Sequence, residues 1–217
     1  MKEKRRIAAL FDLDGVVLDT ENQYSIYWGK VGKMYHPEIE HFEKIIKGQT
    51  LAQIYERFFQ DKLVLQKKIT AELNIFEENM TFPYIAGVKD FILSLRDEGI
   101  STAVVTSSNE KKMNNVYRSK PEFKSLFDRI LTADMFKASK PAPDCFLLGA
   151  EVFMTEPRNC VVFEDSFHGL EAGKRAKMKV VGLSTTNSEE AIKDLADMVI
   201  PDFKNYTTKD MMDLLNR

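Results

Sequence analysis

The fold of this chain is decided by the stretch Ile7-Ala8-Ala9-Leu10-Phe11-Asp12-Leu13-Asp14-Gly15. A short apolar run with a β-branched start and an Asp-Gly turn after it favours a buried strand over a helix. Because strand side chains alternate with a period of two, Asp12 and Asp14 point to the same side where the chain leaves the strand. Adjacent carboxylates repel each other, so this pair predicts a bound cation or a proton.

We predict that residues 7–11 form the first, central strand of a parallel sheet. Ligands of such sheets bind just beyond the carboxyl ends of the strands, where Asp12 and Asp14 fall. A solvated Asp-rich turn is the alternative for this pair on its own. A calcium loop is excluded, because the Gly and the bidentate Glu that its twelve residues require are missing at the required offsets.

A second acidic pair follows another short apolar run. Residues 160–163 read as a strand that ends in Glu164 and Asp165, before Ser166 and a helix-like stretch. Two strands that end in carboxylate pairs at one sheet edge require a hard cation, and Mg²⁺ suits an all-oxygen set of ligands. For one of these two acids, capping of the next helix remains an alternative.

Two further signals lie between the acidic pairs. Thr106-Ser107-Ser108 follows a predicted strand and supplies hydroxyls and amides for an anion, although such runs also serve as plain helix N-caps. Lys140 precedes Pro141 and Pro143, which rigidify the approach to a helix, although a lone Lys-Pro is usually a solvated loop.

In this order, Asp12-Leu13-Asp14-Gly15-Val16, Thr106, Lys140 and Glu164-Asp165 resemble the four motifs of the haloacid-dehalogenase superfamily of phosphohydrolases. The resemblance covers most of the chain outside residues 18–83. It implies a doubly wound, Rossmann-like α/β core with an inserted α-helical cap, within the subfamily that includes β-phosphoglucomutase-like enzymes and sugar-phosphate phosphatases.

The residue types and the resemblance assign the same chemistry. Asp12 is the candidate nucleophile that forms an aspartyl phosphate, and Asp14 is the candidate general acid and base. Mg²⁺ would be held by Asp12, by the backbone carbonyl of Asp14 and by Asp165, with Glu164 as a direct ligand or a support behind the ligands.

The transferring phosphoryl group would be bound by Thr106, Ser107 and Lys140. Asp14 also argues against dehalogenation, because displaced halide needs no proton and the dehalogenases that resemble this fold lack this second acid. Neither the P-loop nor the dinucleotide-binding glycine pattern follows the first strand.

Chain organisation is predicted as core, insert and core: residues 1–17 and 84–217 form the α/β core, and residues 18–83 form the helical cap. The cap sequence carries apolar stripes at helical spacing, which are typical of a helix-bundle core. These stripes are Leu51, Ile54, Tyr55, Phe58 and Phe59, then Leu65, Ile69, Leu73 and Phe76. Further strands are predicted near residues 100–105, 130–132, 180–183 and 198–200, with a helix from Val88 that closes at Gly99.

The cap is expected to select a small soluble phosphoester and to move on hinges at residues 15–19 and 84–87. The residues expected to face substrate are Thr20, Tyr24, Gly48, Gln49, Thr50, Ser108 and Asn109. Thr20 can instead be a helix N-cap, and Gly48 can instead end a helix. Tyr24 and Trp28 can line a sugar-sized pocket or serve as packing residues.

A phosphatase is favoured over a mutase because three cationic positions of β-phosphoglucomutase-like enzymes are occupied here by Tyr24, Leu51 and Asn109. Without those cations a bisphosphate intermediate is poorly held, so water becomes the acceptor. Phosphohexomutase is the alternative function, and a non-catalytic relative that binds phosphate or a partner is a third.

Composition agrees with a single large domain and a small appendage. The 217 residues are 44% hydrophobic and carry a net charge of −2, which predicts no nucleic-acid partner. Cys145 and Cys160 are expected to be free thiols, and no apolar run is long enough for a signal peptide or a membrane span, so a cytoplasmic location is predicted. A monomer is compatible with this sequence, which does not determine the oligomeric state.

Overall fold

A computed structural model of the protein describes residues 5–217. Its centre is a six-stranded, wholly parallel sheet in the order β3-β2-β1-β4-β5-β6. The strands are β1 (Ala8–Phe11), β2 (Ser101–Val105), β3 (Arg129–Leu131), β4 (Cys160–Glu164), β5 (Lys179–Leu183) and β6 (Met198–Ile200). The first strand is central, as predicted, because it pairs with β2 on one side and β4 on the other.

Eleven α-helices are described in residues 5–217. They are α1 (Glu21–Tyr35), α2 (Phe42–Ile45), α3 (Leu51–Phe58), α4 (Leu63–Glu78), α5 (Val88–Asp97), α6 (Glu110–Ser119), α7 (Phe123–Leu126), α8 (Asp144–Val152), α9 (Phe167–Arg175), α10 (Glu189–Ile192) and α11 (Thr208–Leu215). Single 3₁₀ turns lie at Ala133–Met135, Pro157–Asn159 and Lys193–Leu195. The predicted doubly wound α/β fold is confirmed.

Apolar side chains bury both faces of the sheet, as a parallel sheet between helices requires. Phe11 lies on one face and stacks on Phe163 of β4 at 4.6 Å between ring centroids. The same cluster includes Phe91 of α5 and Met211 of α11. Leu10 lies on the other face with residues of α8 and α9. This double burial makes the strand ends a rigid platform for the polar residues that follow them.

Helices α1 to α4, residues 21–78, form a second packed unit that we call the helical segment. Trp28, Phe42, Phe59 and Ile69 belong to its own apolar cluster. The predicted stripes therefore form helix-bundle core. Helix α2 was not predicted because four residues are too few to show a helical period. The boundaries proposed at residues 17/18 and 83/84 stay predictions.

The two chain connections to the helical segment lie side by side. Asp19 N donates to Pro83 O at 2.8 Å, and Ile85 N donates to Val17 O at 3.0 Å. The action of residues 15–19 and 84–87 as hinges stays a prediction. Both cysteines are buried free thiols, Cys145 on α8 and Cys160 on β4, as expected. Among the described residues, no helix has the length and apolar character needed to cross a membrane.

Candidate active site

The carboxyl ends of the three central strands bring the predicted motifs together. Asp12 follows β1, Thr106 follows β2, and Glu164 is the last residue of β4. Because Phe11 is paired with both Val104 and Phe163, these ends lie at one level. A cavity of about 170 Å³ opens above them and is roofed by the helical segment.

Lys140 is the buried cation at the centre of the site, with 1% of its surface exposed. Its Nζ lies 2.5 Å from Asp12 Oδ1 and 2.5 Å from Glu164 Oε1, and it donates to Val105 O at 3.3 Å. Burial disfavours the charged form of this lysine, but the two carboxylates outweigh burial and raise its pKa. All three N–H groups thus have protein partners, so direct phosphoryl binding requires Lys140 to release one of them.

Both carboxylate oxygens of Glu164 accept hydrogen bonds from protein donors. Its Oε1 accepts from Lys140, and its Oε2 accepts from the backbone N–H groups of Asp165 and Ser166 at 2.9 Å each. The carboxylate also packs directly against Gly169, where a Cβ would collide with it. Ser166 is the N-cap of α9 and accepts from Gly169 N, whereas Glu164 accepts from backbone N–H groups just before the helix. Glu164 is therefore arranged to hold Lys140 and to support the site from behind.

Asp165 is 2% exposed and lies against the backbone of Gly15, where a side chain would displace it. The positive φ of Gly15, 77°, and this contact explain the glycine after Asp14. A loop after β5 closes the other side: Thr186 lines the cavity with a buried hydroxyl, and Asn187 Nδ2 donates to Asp165 O at 2.9 Å. Sequence reasoning did not identify this loop.

The site has more carboxylates than cations, and a bound metal ion would balance this excess of negative charge. Asp12, Glu164 and Asp165 can each bring an oxygen within 4.8 Å of the others. Burial raises the pKa of Asp12 to about 7, with the Glu164 charge adding to the rise and Lys140 opposing it. Burial and nearby carboxylates, Glu21 foremost, raise the pKa of Asp165 well above its usual range. This buried all-oxygen donor set fits Mg²⁺.

Asp14 faces the cavity and accepts hydrogen bonds from three side chains. The Thr20 hydroxyl donates to Oδ1, the Ser108 hydroxyl donates to Oδ2 at 3.3 Å, and Lys112 Nζ lies 2.5 Å from Oδ2. The N-cap alternative for the Thr20 side chain is wrong, since it makes no cap hydrogen bond at the start of α1. Lys112 was missed by the sequence analysis.

The loop after β2 forms the opposite wall of the cavity. Thr106 is 1% exposed and its hydroxyl accepts from Ser108 N at 3.0 Å. The hydroxyl of Ser107 is buried and has no hydrogen-bond partner among residues 5–217. Asn109 both lines the cavity and caps α6, because its side chain accepts from Lys112 N. The plain N-cap alternative for residues 106–108 is therefore wrong, because Asn109 is the cap of α6, and the Ser107 hydroxyl is available to an anion.

The helical segment reaches this platform through the loop before α3. Gly48 has a φ of 74°, and a Cβ there would lie 2.6 Å from Ser166 Oγ. The alternative that Gly48 ends a helix is wrong, because α2 ends at Ile45. Thr50 caps α3 through a capping box with Gln53, whose Nε2 donates to Lys140 O at 3.0 Å.

The remaining substrate-facing predictions have mixed outcomes. Tyr24, Trp28 and Gln49 all line the cavity. Trp28 also belongs to the core of the helical segment, with 7% of its surface exposed. It is therefore both a cavity residue and a packing residue. Tyr24 packs edge-on against Phe76 and donates its hydroxyl to Glu77 Oε1 at 2.8 Å. Glu21, Lys47 and Glu77 also line the cavity. Of these, Glu21 and Lys47 form an ion pair at 3.0 Å.

Comparison with known proteins agrees with this geometry. The model of the haloacid dehalogenase-like hydrolases matches residues 9–183. A (DL)-glycerol-3-phosphatase of Arabidopsis thaliana is 28% identical over 209 residues, which cover 91% of this chain and 70% of that protein. A phosphorylated carbohydrates phosphatase of Thermotoga maritima is 28% identical over 183 residues, which cover 78% and 81% respectively.

Two further similarities support narrower conclusions about this chain. SUPPRESSOR OF QUENCHING 1 of Arabidopsis thaliana is 31% identical over 170 residues, but this match spans only 15% of that longer protein and 78% of this chain. The crystal structure of a β-phosphoglucomutase from Clostridium difficile superposes with a TM-score of 0.81 at 21% identity, over 97% of both chains. At that identity the likeness shows the fold alone. The match of the family model over most of the chain establishes that this protein belongs to the haloacid dehalogenase-like hydrolases.

Proposed function

We propose that this protein is a Mg²⁺-dependent phosphatase that hydrolyses a small soluble phosphomonoester, in the class of sugar and polyol phosphates, through a phosphorylated Asp12. The single observation that carries the proposal is the pairing of Asp12 and Asp14 at the floor of one cavity, with different partners for each carboxylate. Two carboxylates with distinct surroundings can divide the roles of nucleophile and acid/base between them.

Asp12 has the surroundings of a nucleophile. It is 8% exposed, and Lys140 contacts Oδ1. An attack by the other oxygen forms the bond to phosphorus while the ester oxygen leaves, and Asp14 gives that oxygen its proton. Asp14 then takes a proton from the water that cleaves the aspartyl phosphate. The hydroxyls of Ser107 and Thr106 and the loop amides are proposed to bind the phosphoryl oxygens.

Mg²⁺, when bound, would shield the carboxylates from the anionic substrate and neutralise charge on the phosphoryl oxygens. We propose Asp12, Asp165 and the backbone carbonyl of Asp14 as its protein ligands. Glu164 is proposed as the support that fixes Lys140, because its oxygens already accept four hydrogen bonds from protein donors. The charge of the site is a separate argument for Mg²⁺. The acidic residues outnumber the two buried lysines, Lys112 and Lys140, by two. These acidic residues are Asp12, Asp14, Glu164 and Asp165.

The composition of the cavity favours hydrolysis over mutase activity. Lys47 and Lys112 line its wall, but Lys47 is paired with Glu21 and Lys112 with Asp14. A sugar bisphosphate needs unpaired cations for its second phosphate. Leu51 lines the cavity and occupies one of the positions that are cationic in β-phosphoglucomutase-like enzymes. The names of the relatives, a glycerol phosphatase and a carbohydrate phosphatase, support the same substrate class.

Release of inorganic phosphate from p-nitrophenyl phosphate tests the proposal. We expect turnover with Mg²⁺, none with EDTA, and loss of at least about 10³-fold in kcat in Asp12→Asn. A screen of phosphorylated metabolites ranked by kcat/KM then identifies the substrate. No hydrolysis of any phosphoester by the magnesium-loaded protein would favour a non-catalytic relative. Conversion of β-glucose 1-phosphate to the 6-phosphate faster than phosphate release would favour the mutase.

A further inference from the structure

Lys112 is a buried cation in a position that does not favour a cation. It is 3% exposed and is the third residue of α6, within the first turn of the helix. The amino-terminal end of a helix carries partial positive charge, so a lysine there is disfavoured, and burial of its ammonium group adds to the cost. Helix stability therefore does not account for this lysine. The compensating group is the Asp14 carboxylate, 2.5 Å from its Nζ.

The other side of the Lys112 ammonium group is covered by the helical segment. Its Nζ lies 4.4 Å from the centroid of the Tyr24 ring, a cation–π contact. The Tyr24 hydroxyl in turn donates to Glu77 Oε1 at 2.8 Å. Tyr24 is on α1 and Glu77 is on α4, whereas Lys112 and Asp14 belong to the α/β core. One ammonium group thus links the candidate acid of the core to two helices above it.

Three side chains donate to Asp14, and they differ in charge. Thr20 and Ser108 supply neutral hydroxyls, and Lys112 alone among the three supplies an ionic partner. Charge-assisted hydrogen bonds are about twice as strong as neutral ones, so the direction of the Asp14 carboxyl group is set mainly by Lys112. The Ser108 contact, at 3.3 Å, is the longest of the three and constrains the carboxyl group least.

We propose that Lys112 is a positioning residue for the reaction: it holds Asp14 toward the leaving-group oxygen when Tyr24 and Glu77 of the helical segment cover the site. The inference rests on the proposed phosphatase function. Asp14 gives its proton to the departing ester oxygen as the P–O bond breaks, and Lys112 keeps its own protons throughout. A misplacement of about 1 Å in a reacting group can cost on the order of 10²-fold in rate, so the orientation of this carboxyl group matters.

If Lys112 positions Asp14, its replacement should lower kcat/KM by a factor that depends on the leaving group. Phenyl phosphate and p-nitrophenyl phosphate are similar in size, but phenolate is the poorer leaving group and needs the proton more. The ratio kcat/KM reports the steps up to departure of the alcohol, so it isolates this event from the later hydrolysis. In Lys112→Met we expect kcat/KM to fall about tenfold or more for phenyl phosphate and less than about threefold for p-nitrophenyl phosphate.

The matched control is Lys111→Met. Lys111 is adjacent on the same helix, but 52% of its side chain is exposed and its one ion pair within residues 5–217 is with Glu78 at 3.9 Å. We expect this variant to retain wild-type values for both esters. Lys112→Arg keeps the charge and is expected to recover part of the phenyl phosphate rate. If Lys112→Met fails to fold by circular dichroism, Lys112→Gln, which removes the charge and keeps a hydrogen-bond donor on a side chain one atom shorter, takes its place with the same expected selectivity.

Equal losses for both esters in the folded variant would overturn the inference, since a merely structural residue lowers both together. Wild-type rates for both esters would overturn it as well. In either case Asp12-dependent hydrolysis by the wild type would leave the proposed phosphatase function standing. Absence of Asp12-dependent hydrolysis in the wild type would overturn the proposed function and this inference with it.

Discussion

The backbone of Gly48 passes so close to Ser166 that a Cβ at residue 48 would lie 2.6 Å from the Ser166 hydroxyl. This contact joins the loop before α3 to the start of α9, directly behind Asp165. The neighbouring Lys47 carbonyl accepts from His168 Nδ1 at 3.0 Å. The helical segment therefore meets the core at the candidate metal site itself.

Substitution Gly48→Ala should weaken this contact in two ways. The methyl group collides with Ser166, and the φ of 74° disfavours a residue with a side chain. We expect kcat/KM for p-nitrophenyl phosphate to fall about 10- to 100-fold, which corresponds to about 1.4–2.7 kcal/mol.

Gly99→Ala is the matched control for backbone strain, because Gly99 has a similar φ of 72° but no atom of the described part of the chain lies within 4 Å of a Cβ there. It should lose stability by about 1 kcal/mol and keep its kcat/KM. If both variants lose activity equally, strain rather than the Ser166 contact is responsible, and the contact has no functional role.

Glu164 and Asp165 are neighbours with different predicted parts in metal binding. Glu164 accepts from Lys140 and from the backbone, whereas Asp165 lies between Gly15 and Thr186. We expect Asp165→Asn to weaken Mg²⁺ binding more than about 100-fold, and Glu164→Gln to weaken it about tenfold through the displaced supporting group. Isothermal titration calorimetry measures both.

The test is which of the two variants loses more Mg²⁺ affinity. A larger loss in Glu164→Gln than in Asp165→Asn would make Glu164 the direct ligand. Circular dichroism on each variant separates loss of metal binding from loss of fold.

The raised pKa values of Asp12 and Asp165 predict that the metal-free protein loses stability as pH rises. Asp12 titrates at about 7 in the folded protein and at about 3.9 in an unfolded chain. Between these values the folded state binds more protons, so this contribution to stability falls from pH 4 to pH 7 and stays low above it. Mg²⁺ competes with those protons and should raise the melting temperature more at pH 8 than at pH 5.5.

Differential scanning fluorimetry with 10 mM Mg²⁺ or EDTA, about saturating for such sites, measures the effect. Asp165→Asn removes one of the two buried charges and should flatten the pH dependence of the metal-free protein. A Mg²⁺ stabilisation that is larger at pH 5.5 than at pH 8 would contradict the assignment.

Lys140 is predicted to be essential for stability as well as for activity. Lys140→Met leaves the buried carboxylates of Asp12 and Glu164 without their shared partner. We expect a loss of about 3–5 kcal/mol in the free energy of unfolding by urea without metal. The control is Lys193→Met, whose exposed pair with Glu190 should contribute under about 1 kcal/mol. Similar small losses in both variants would show that the buried pairs are not stabilising.

The sequence predicted the platform of the site well because strand ends are local features. Asp12, Thr106 and Asp165 each follow or end a short apolar run, and parallel pairing then brings these runs to one edge. Thr20 was predicted to face the site only as one of two alternatives. Its partner, Asp14, is six residues away across a turn, and which of the two alternatives holds depends on the path of that turn.

Lys112 was missed because its position depends on packing between the helical segment and the core. Lys111 and Lys112 are adjacent and identical in type, and only the orientation of α6 directs the second toward Asp14. The Asn109 cap, which sets the start of that helix, was a usable signal. Thr186 follows β5 in a turn without a recognisable motif, so no local pattern indicated it.

The most direct test of the account is to identify the residue that carries the phosphoryl group during turnover. The magnesium-loaded protein is mixed with p-nitrophenyl phosphate, quenched in acid and reduced with borohydride, which converts an aspartyl phosphate to homoserine. Peptide mass spectrometry should then find homoserine at position 12 in the wild type and none in Asp12→Asn. Conversion at any other residue, or unmodified Asp12 in a sample that is turning over substrate, would contradict the central claim.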